Sequence, residues 1–368
     1  MVKLTMVMVC LAGLFAVGQD IHDGKIFDGG LTREKRGDAS PIELERVAGM
    51  VGQWDVTWQV PDGKGKIHTA QGKAEINWMN RGYALMERFK VTDFNGLGTP
   101  KSTLSFLSFS SVSGTWGYGI ADSHQRNVSI YNGGFNQQKL ILDNILREGG
   151  GMLMTMYRLE LSPITDQGFF WQLQSSTNLG GDWSLILKKT YLRHAASPEF
   201  MATGKSYGKP AENRPEQAAE FDFLIGEWNA GQDITAPNGQ NYKFPSTSTA
   251  VYCLDGQGIL EYNWYDVNPS FPDSATSIIR LYNPAMRRWE SLYLSNRNNS
   301  LLYFGGRKEG DRIVLNLFDT HVGRGPYSYF IFHDIGKDHY LWHSERTNDG
   351  GKTFVTTWSI DTTRLPQK

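Results

Sequence analysis

Cysteine is nearly missing from this sequence, with two in 368 residues, Cys10 and Cys253. Cys10 falls in an apolar leader, so a chain without that leader keeps one thiol and forms no intrachain disulfide. Stability must then come from packing. A surplus of charge is missing too. The formal net charge of −1 gives no electrostatic reason to expect nucleic acid or an anionic membrane as partner. Beyond the leader no apolar run approaches the roughly 20 residues of a spanning helix, so no integral membrane span is expected in the mature chain. Helical periodicity is scarce as well. What abounds is glycine and aromatics: 40 Gly, 11 Trp and 16 Tyr point to turns and aromatic strands, hence to a β-rich protein.

The first eighteen residues have the form of a signal peptide. Lys3 supplies a positive start, an apolar run follows, and Ala16-Val17-Gly18 offers small residues for a cut before Gln19. A secreted or periplasmic location is therefore expected. Residues 19–39 are polar and read as a flexible leader.

One stretch is written twice. Pro41, Gly52 and Trp54 return as Pro215, Gly226 and Trp228, each 174 residues later. Proline then suits the first turn of a short helix, and Gly-x-Trp places a large anchor at the start of a strand. After Trp54, residues 54–60, 72–79, 83–91, 104–109, 115–121, 128–131, 139–142, 152–161, 169–175 and 183–192 form ten short strands between turn signals. Asn80-Arg81-Gly82 is a hairpin turn, and so is the Gly-Gly tip of residues 348–354. Residues 196–213 lose all apolar period and read as a linker. Near the end the offset has drifted only from 174 to 170. A first domain at 40–195 and a second at 214–368 follow, each an antiparallel barrel or sandwich.

The second copy carries Phe-Asp-Phe-Leu-Ile-Gly-Glu-Trp at 221–228, an Ile-Leu-Glu strand, Leu-Tyr-Asn-Pro…Arg-Trp at 281–289, and Thr-Asn-Asp-Gly-Gly-Lys-Thr-Phe at 347–354. In these residues it resembles bacterial lipocalin-like (calycin-type) barrel domains of unknown function. The resemblance is weaker in the first copy, where Ser110-Ser111 replaces Asn-Pro. It implies an all-β chain of two tandem antiparallel lipocalin-like β-barrels, each opened by a short helix and holding a pocket. It implies no activity. The Gly-x-Trp-x-Gly opening of related haem- and nitrite-handling barrels is absent from both copies, and no cofactor is expected.

Candidate chemistry is sparse. Glu87 and Glu261 match at the same offset, on strands otherwise apolar and aromatic. On a lumen face either carboxylate could act as acid, base or ligand anchor; on the outer face it would pair with a neighbour such as Arg88. Arg280 stands where the first copy has Leu107. Trp78, Trp171, Trp264 and Trp342 could line a pocket or build core. His321, His333, His339 and His343 crowd the second copy. His339 and His343 share a strand face about 13 Å apart, too far for one metal, and no metal site is expected. Gly204-Lys-Ser-Tyr-Gly208 mimics a nucleophile elbow, but no strand precedes it and no helix follows.

Three functions are open at this point. In the first, an exported protein binds a small amphipathic or aromatic molecule through Glu87, Glu261, Arg280, Trp264 and Trp342. In the second, a lyase, isomerase or hydrolase uses Glu261, His321 and His343 for proton transfer. In the third, an envelope scaffold has both lumens filled by side chains. Function is expected in the second barrel.

Overall fold

The computed structural model describes residues 36–62, 64–93, 102–148, 153–194, 207–236, 238–265, 274–297, 301–318, 328–347 and 349–366. The expected signal peptide, most of the leader and most of the linker lie outside these residues, as does His321. The first ten strands are β1 Gly52–Pro61, β2 Ile67–Met79, β3 Ala84–Asp93, β4 Ser102–Ser110, β5 Thr115–Asp122, β6 Asn127–Asn136, β7 Lys139–Glu148, β8 Leu153–Ser162, β9 Gly168–Ser176 and β10 Ser184–Arg193. The second ten are β11 Gly226–Thr235, β12 Asn241–Cys253, β13 Gly258–Tyr265, β14 Ser274–Asn283, β15 Arg288–Ser295, β16 Leu301–Glu309, β17 Arg312–Phe318, β18 Ser328–His333, β19 His339–Arg346 and β20 Val355–Arg364. Each strand pairs antiparallel with its chain neighbour. β1 closes on β10 and β11 on β20, giving two closed barrels.

Alternation along each strand decides what points inward. On β1, Trp54, Val56 and Trp58 are buried while Asp55 between them is exposed. The expected short helices are 3-10 turns. Ile42–Met50 opens the first barrel, and the second copy splits the element into Glu216–Ala219 and Asp222–Leu224. Pro41 and Pro215 precede them at φ −53° and −58°, the angle the pyrrolidine ring imposes.

One latch repeats in both barrels. The Trp54 indole N–H donates to the Met50 carbonyl at 2.8 Å, and Trp228 does the same to Leu224 at 2.8 Å. An arginine from the last strand then lies over each ring: Arg193 at 3.9 Å from the Trp54 centroid, Arg364 at 4.1 Å from Trp228. Arg193 donates to the Val51 and Gly49 carbonyls, Arg364 to those of Ile225 and Phe223. These are carbonyls that the short helix leaves unpaired at its end. The glycine of Gly-x-Trp is now explained. A Cβ on Gly52 would stand 1.9 Å from an Arg193 nitrogen, and one on Gly226 2.6 Å from an Arg364 nitrogen.

The barrels pack on each other. Every residue of β4 is buried, and all of β14 except half-buried Ile278, because their outer faces are covered as well as their inner ones. Met86, Leu104 and Phe106 meet Leu260, Ile279 and Leu292 in one apolar cluster. Asn80, in the left-handed region at φ 49°, carries the β2–β3 turn into the second barrel. Its amide donates to the Leu294 carbonyl at 3.2 Å and accepts from the Ser277 hydroxyl at 2.5 Å. Cys253 packs half-buried against the same cluster. The expected β19–β20 hairpin is held by the Asp349 carboxylate, which accepts the Lys352 and Thr353 backbone N–H groups, each at 2.9 Å.

Candidate functional site

Strand register lets the two lumens be compared position by position. Ala74 pairs with Phe89 in the first barrel, and its counterpart Ser248 pairs with Asn263 in the second. By the same pairing Trp58 corresponds to Gln232, Tyr118 to Ser291, Leu107 to Arg280, Trp171 to Trp342 and Lys189 to Ile360.

In the first barrel these positions are buried and pack on one another. Trp58 and Phe89 meet edge to face at 5.9 Å. The Lys189 ammonium lies between rings, 4.1 Å from the Phe89 centroid and 4.8 Å from that of Trp171. It also sits 3.8 Å from Glu87 Oε1. Glu87 accepts from Tyr191 at 2.5 Å and from Ser105 at 3.1 Å, with the Tyr118 hydroxyl 3.2 Å away. Burial, and then the Glu87 charge, push both phenols well above their ordinary value, so they remain protonated donors. A carboxylate so surrounded is fully used by its neighbours.

The second barrel replaces three of those rings by Gln232, Asn263 and Ser291, and holds a cavity of about 900 Å³ that all three help to line. Phe221 and Phe332, packed edge to face at 5.1 Å, stand at the end that the short helices close. The cavity extends to the opposite end, where Ala236 and Gly239 of the β11–β12 turn line it together with Arg297, Glu345 and Arg346. One wall is a run of rings: Tyr293 to Phe304 at 5.7 Å, Phe304 to Phe330 at 4.5 Å, Phe330 to Trp342 at 5.5 Å, Trp342 to Trp358 at 5.3 Å. Gln232 is fixed by accepting from the Trp358 indole at 2.6 Å and donating to Ser246 at 2.6 Å.

Deep in this cavity lies one ion pair. Glu261 is 5% exposed and Arg280 3%, and Arg280 Nη1 bonds Glu261 Oε2 directly. Ser248 donates to the other carboxylate oxygen at 3.2 Å. The guanidinium carbon lies 5.3 Å from the Phe221 ring and 5.6 Å from Phe332. Burial raises the Tyr293 hydroxyl to about 12, with the Glu261 charge adding to it, and the Tyr340 hydroxyl is raised by the same two causes. Two buried polar atoms here, Arg280 Nε of the pair itself and Ser291 Oγ beside it, have no hydrogen-bond partner among the described residues. Each carboxylate is thus matched by one cation, but from different strands: β10 in the first barrel, β14 in the second.

The candidate residues separate accordingly. Glu261, Arg280 and Trp342 line the cavity, while Glu87 is enclosed in the other barrel. Trp264 does not face the cavity. Alternation turns Asn263 inward and sends Trp264 outward, where it stacks on Tyr262 at 5.5 Å against the inter-barrel cluster. His343 lies outside the lining for the same reason, between inward-facing Trp342 and Ser344. It contacts His333 at 3.0 Å and Glu345 at 3.2 Å. His339 pairs with Asp361 at 2.9 Å on the surface. Glu261 thus faces the lumen while His343 lies outside its lining, and the structure does not bring the two together. Among the described residues no group of three or more His, Cys, Asp or Glu is placed to hold a metal ion.

Sequence reasoning missed Lys189, Gln232, Asn263 and Ser291. A signal was there for two of them: the offset of 174 already sets Trp58 against Gln232 and Phe89 against Asn263.

No protein-family model matches the chain, and no curated protein matches it. Among solved structures, a protein of unknown function from the DUF3598 family of Nostoc punctiforme aligns over 88% of this chain and 100% of its own, at 11% identity and TM-score 0.25. A double mutant of transferrin-binding protein B from Haemophilus parasuis aligns over 86% of this chain and 76% of its own, at 8% identity and TM-score 0.16. Neither likeness bears on what this chain does.

Proposed function

We propose that the second barrel binds a small amphipathic or aromatic molecule in its lumen, and that the first barrel is a filled companion that braces it. The chain acts as an exported carrier or sensor in this reading, its export resting on the leader sequence. The supporting observation is the exchange of Trp58, Phe89 and Tyr118 for Gln232, Asn263 and Ser291 at matched positions. A duplicated barrel that only had to fold could keep the rings. A volume of about 900 Å³ falls within the range of roughly 300–1,000 Å³ usual for small-molecule pockets, and a mostly apolar wall with a few placed polar groups is their usual chemistry. Acid–base catalysis is the weaker reading, because Glu261 is engaged by Arg280 and Ser248 and His343 faces away.

Native mass spectrometry of the purified chain tests this, alongside a variant carrying Gln232→Trp and Asn263→Phe, which restores two of the first barrel's three rings. The wild type should carry or take up an aromatic small molecule that the folded variant excludes. Equal uptake by both, or none by the wild type from a panel of indole and naphthalene probes, would sink the proposal.

A further inference from the structure

We infer that the buried end of the bound molecule is a neutral hydrogen-bond acceptor, an aromatic or conjugated carbonyl, and not a carboxylate or an amine; this rests on the binding function proposed above. Arg280 and Ser291 are direct cross-strand partners on β14 and β15, so their side chains stand next to each other on the lumen wall. Arg280 Nε and Ser291 Oγ are both buried without a partner among the described residues, and both residues line the cavity. Two adjacent groups able to donate ask for one oxygen with two lone pairs. Leaving them unmade is costly in a buried place, so a molecule that supplies the oxygen gains more than its apolar contacts alone.

Charge separates the candidates for that oxygen. The Arg280 guanidinium is already balanced by Glu261, so the deep end is neutral as it stands. A carboxylate there would be a second anion beside Glu261, away from water, and an ammonium a second cation beside Arg280. Neither repulsion arises with a carbonyl. The rings that follow toward the opposite end, Phe330, Trp342 and Trp358, then offer faces and edges to a flat apolar body. In the first barrel the matched pair is Leu107 and Tyr118, so the arrangement belongs to the open lumen.

Three probes of one shape test this by isothermal titration calorimetry on the full chain: benzophenone, diphenylmethane and diphenylacetate. Benzophenone should bind about tenfold to a hundredfold tighter than diphenylmethane, the size of one hydrogen bond to a charged donor. Diphenylacetate should bind worst. Ser291→Ala should reduce the preference for the carbonyl. The paired change Glu261→Leu with Arg280→Leu leaves no lone buried charge, and should lower the preference for benzophenone over diphenylmethane further than Ser291→Ala does. Equal binding of benzophenone and diphenylmethane overturns the carbonyl inference and leaves the pocket standing. Tightest binding by diphenylacetate overturns it in favour of an anionic head. If none of the three binds, the inference and the binding function beneath it both fail.

Discussion

Changing Arg280 to leucine copies the first barrel's Leu107 into the second, and it does so without the first barrel's compensation. Glu261, 5% exposed, would then keep Ser248 as a hydrogen-bond donor but lose its cation. Removing one member of a buried ion pair typically costs about 3–5 kcal/mol, because the remaining charge is stranded away from water. For a domain of this size that lowers the melting temperature by on the order of 10 °C. The first barrel names the remedy. Lys189 there reaches within 3.8 Å of Glu87 from the position that Ile360 holds in the second. Adding Ile360→Lys to Arg280→Leu should therefore recover more than half of the loss. Calorimetry and urea unfolding of wild type, single and double variants measure both steps. A single variant that loses under about 1 kcal/mol, or a double variant no better than the single, refutes the argument that a stranded charge is what costs.

The latch should matter equally in both barrels: Arg193→Leu and Arg364→Leu each remove two carbonyl caps and a guanidinium–indole contact, and each should cost about 2–4 kcal/mol in denaturant unfolding. Asn80→Ala takes away two buried hydrogen bonds between the barrels and should cost about 1–3 kcal/mol. Residues 40–195 and 214–368 expressed separately should re-associate on mixing, read by analytical ultracentrifugation, since each would expose its share of the apolar cluster. Tyr118 and Tyr191 have folded values raised above the unfolded value of about 10, so the stability they contribute is complete below that pH and is lost as pH rises from there through their raised folded values. Alkaline unfolding followed by tyrosinate absorbance should show these two ionising with unfolding; ionisation in the intact fold at ordinary tyrosine pH would contradict it.

The duplicated opening, the ten strands per copy and the matched carboxylates Glu87 and Glu261 were all legible in the residues, because period-two alternation and turn chemistry are local and repeat at a fixed offset. So was the change of Leu107 into Arg280, though nothing local said what Arg280 would meet. Which face of β19 looked inward was not legible: Trp342 and His343 are neighbours, and either could have faced the lumen until closure chose. Trp264 went outward by the same choice, into a surface that is apolar because the first barrel covers it. Glu87 and Lys189 lie about a hundred residues apart, on β3 and β10, and only a closed lumen lets them share a charge. Whether a barrel is full or hollow depends on ring volumes summed across several strands at one height. A single strand carries no record of that sum: the offset sets Gln232 against Trp58 and Asn263 against Phe89, but that they stand with Ser291 around one cavity was decided by tertiary structure.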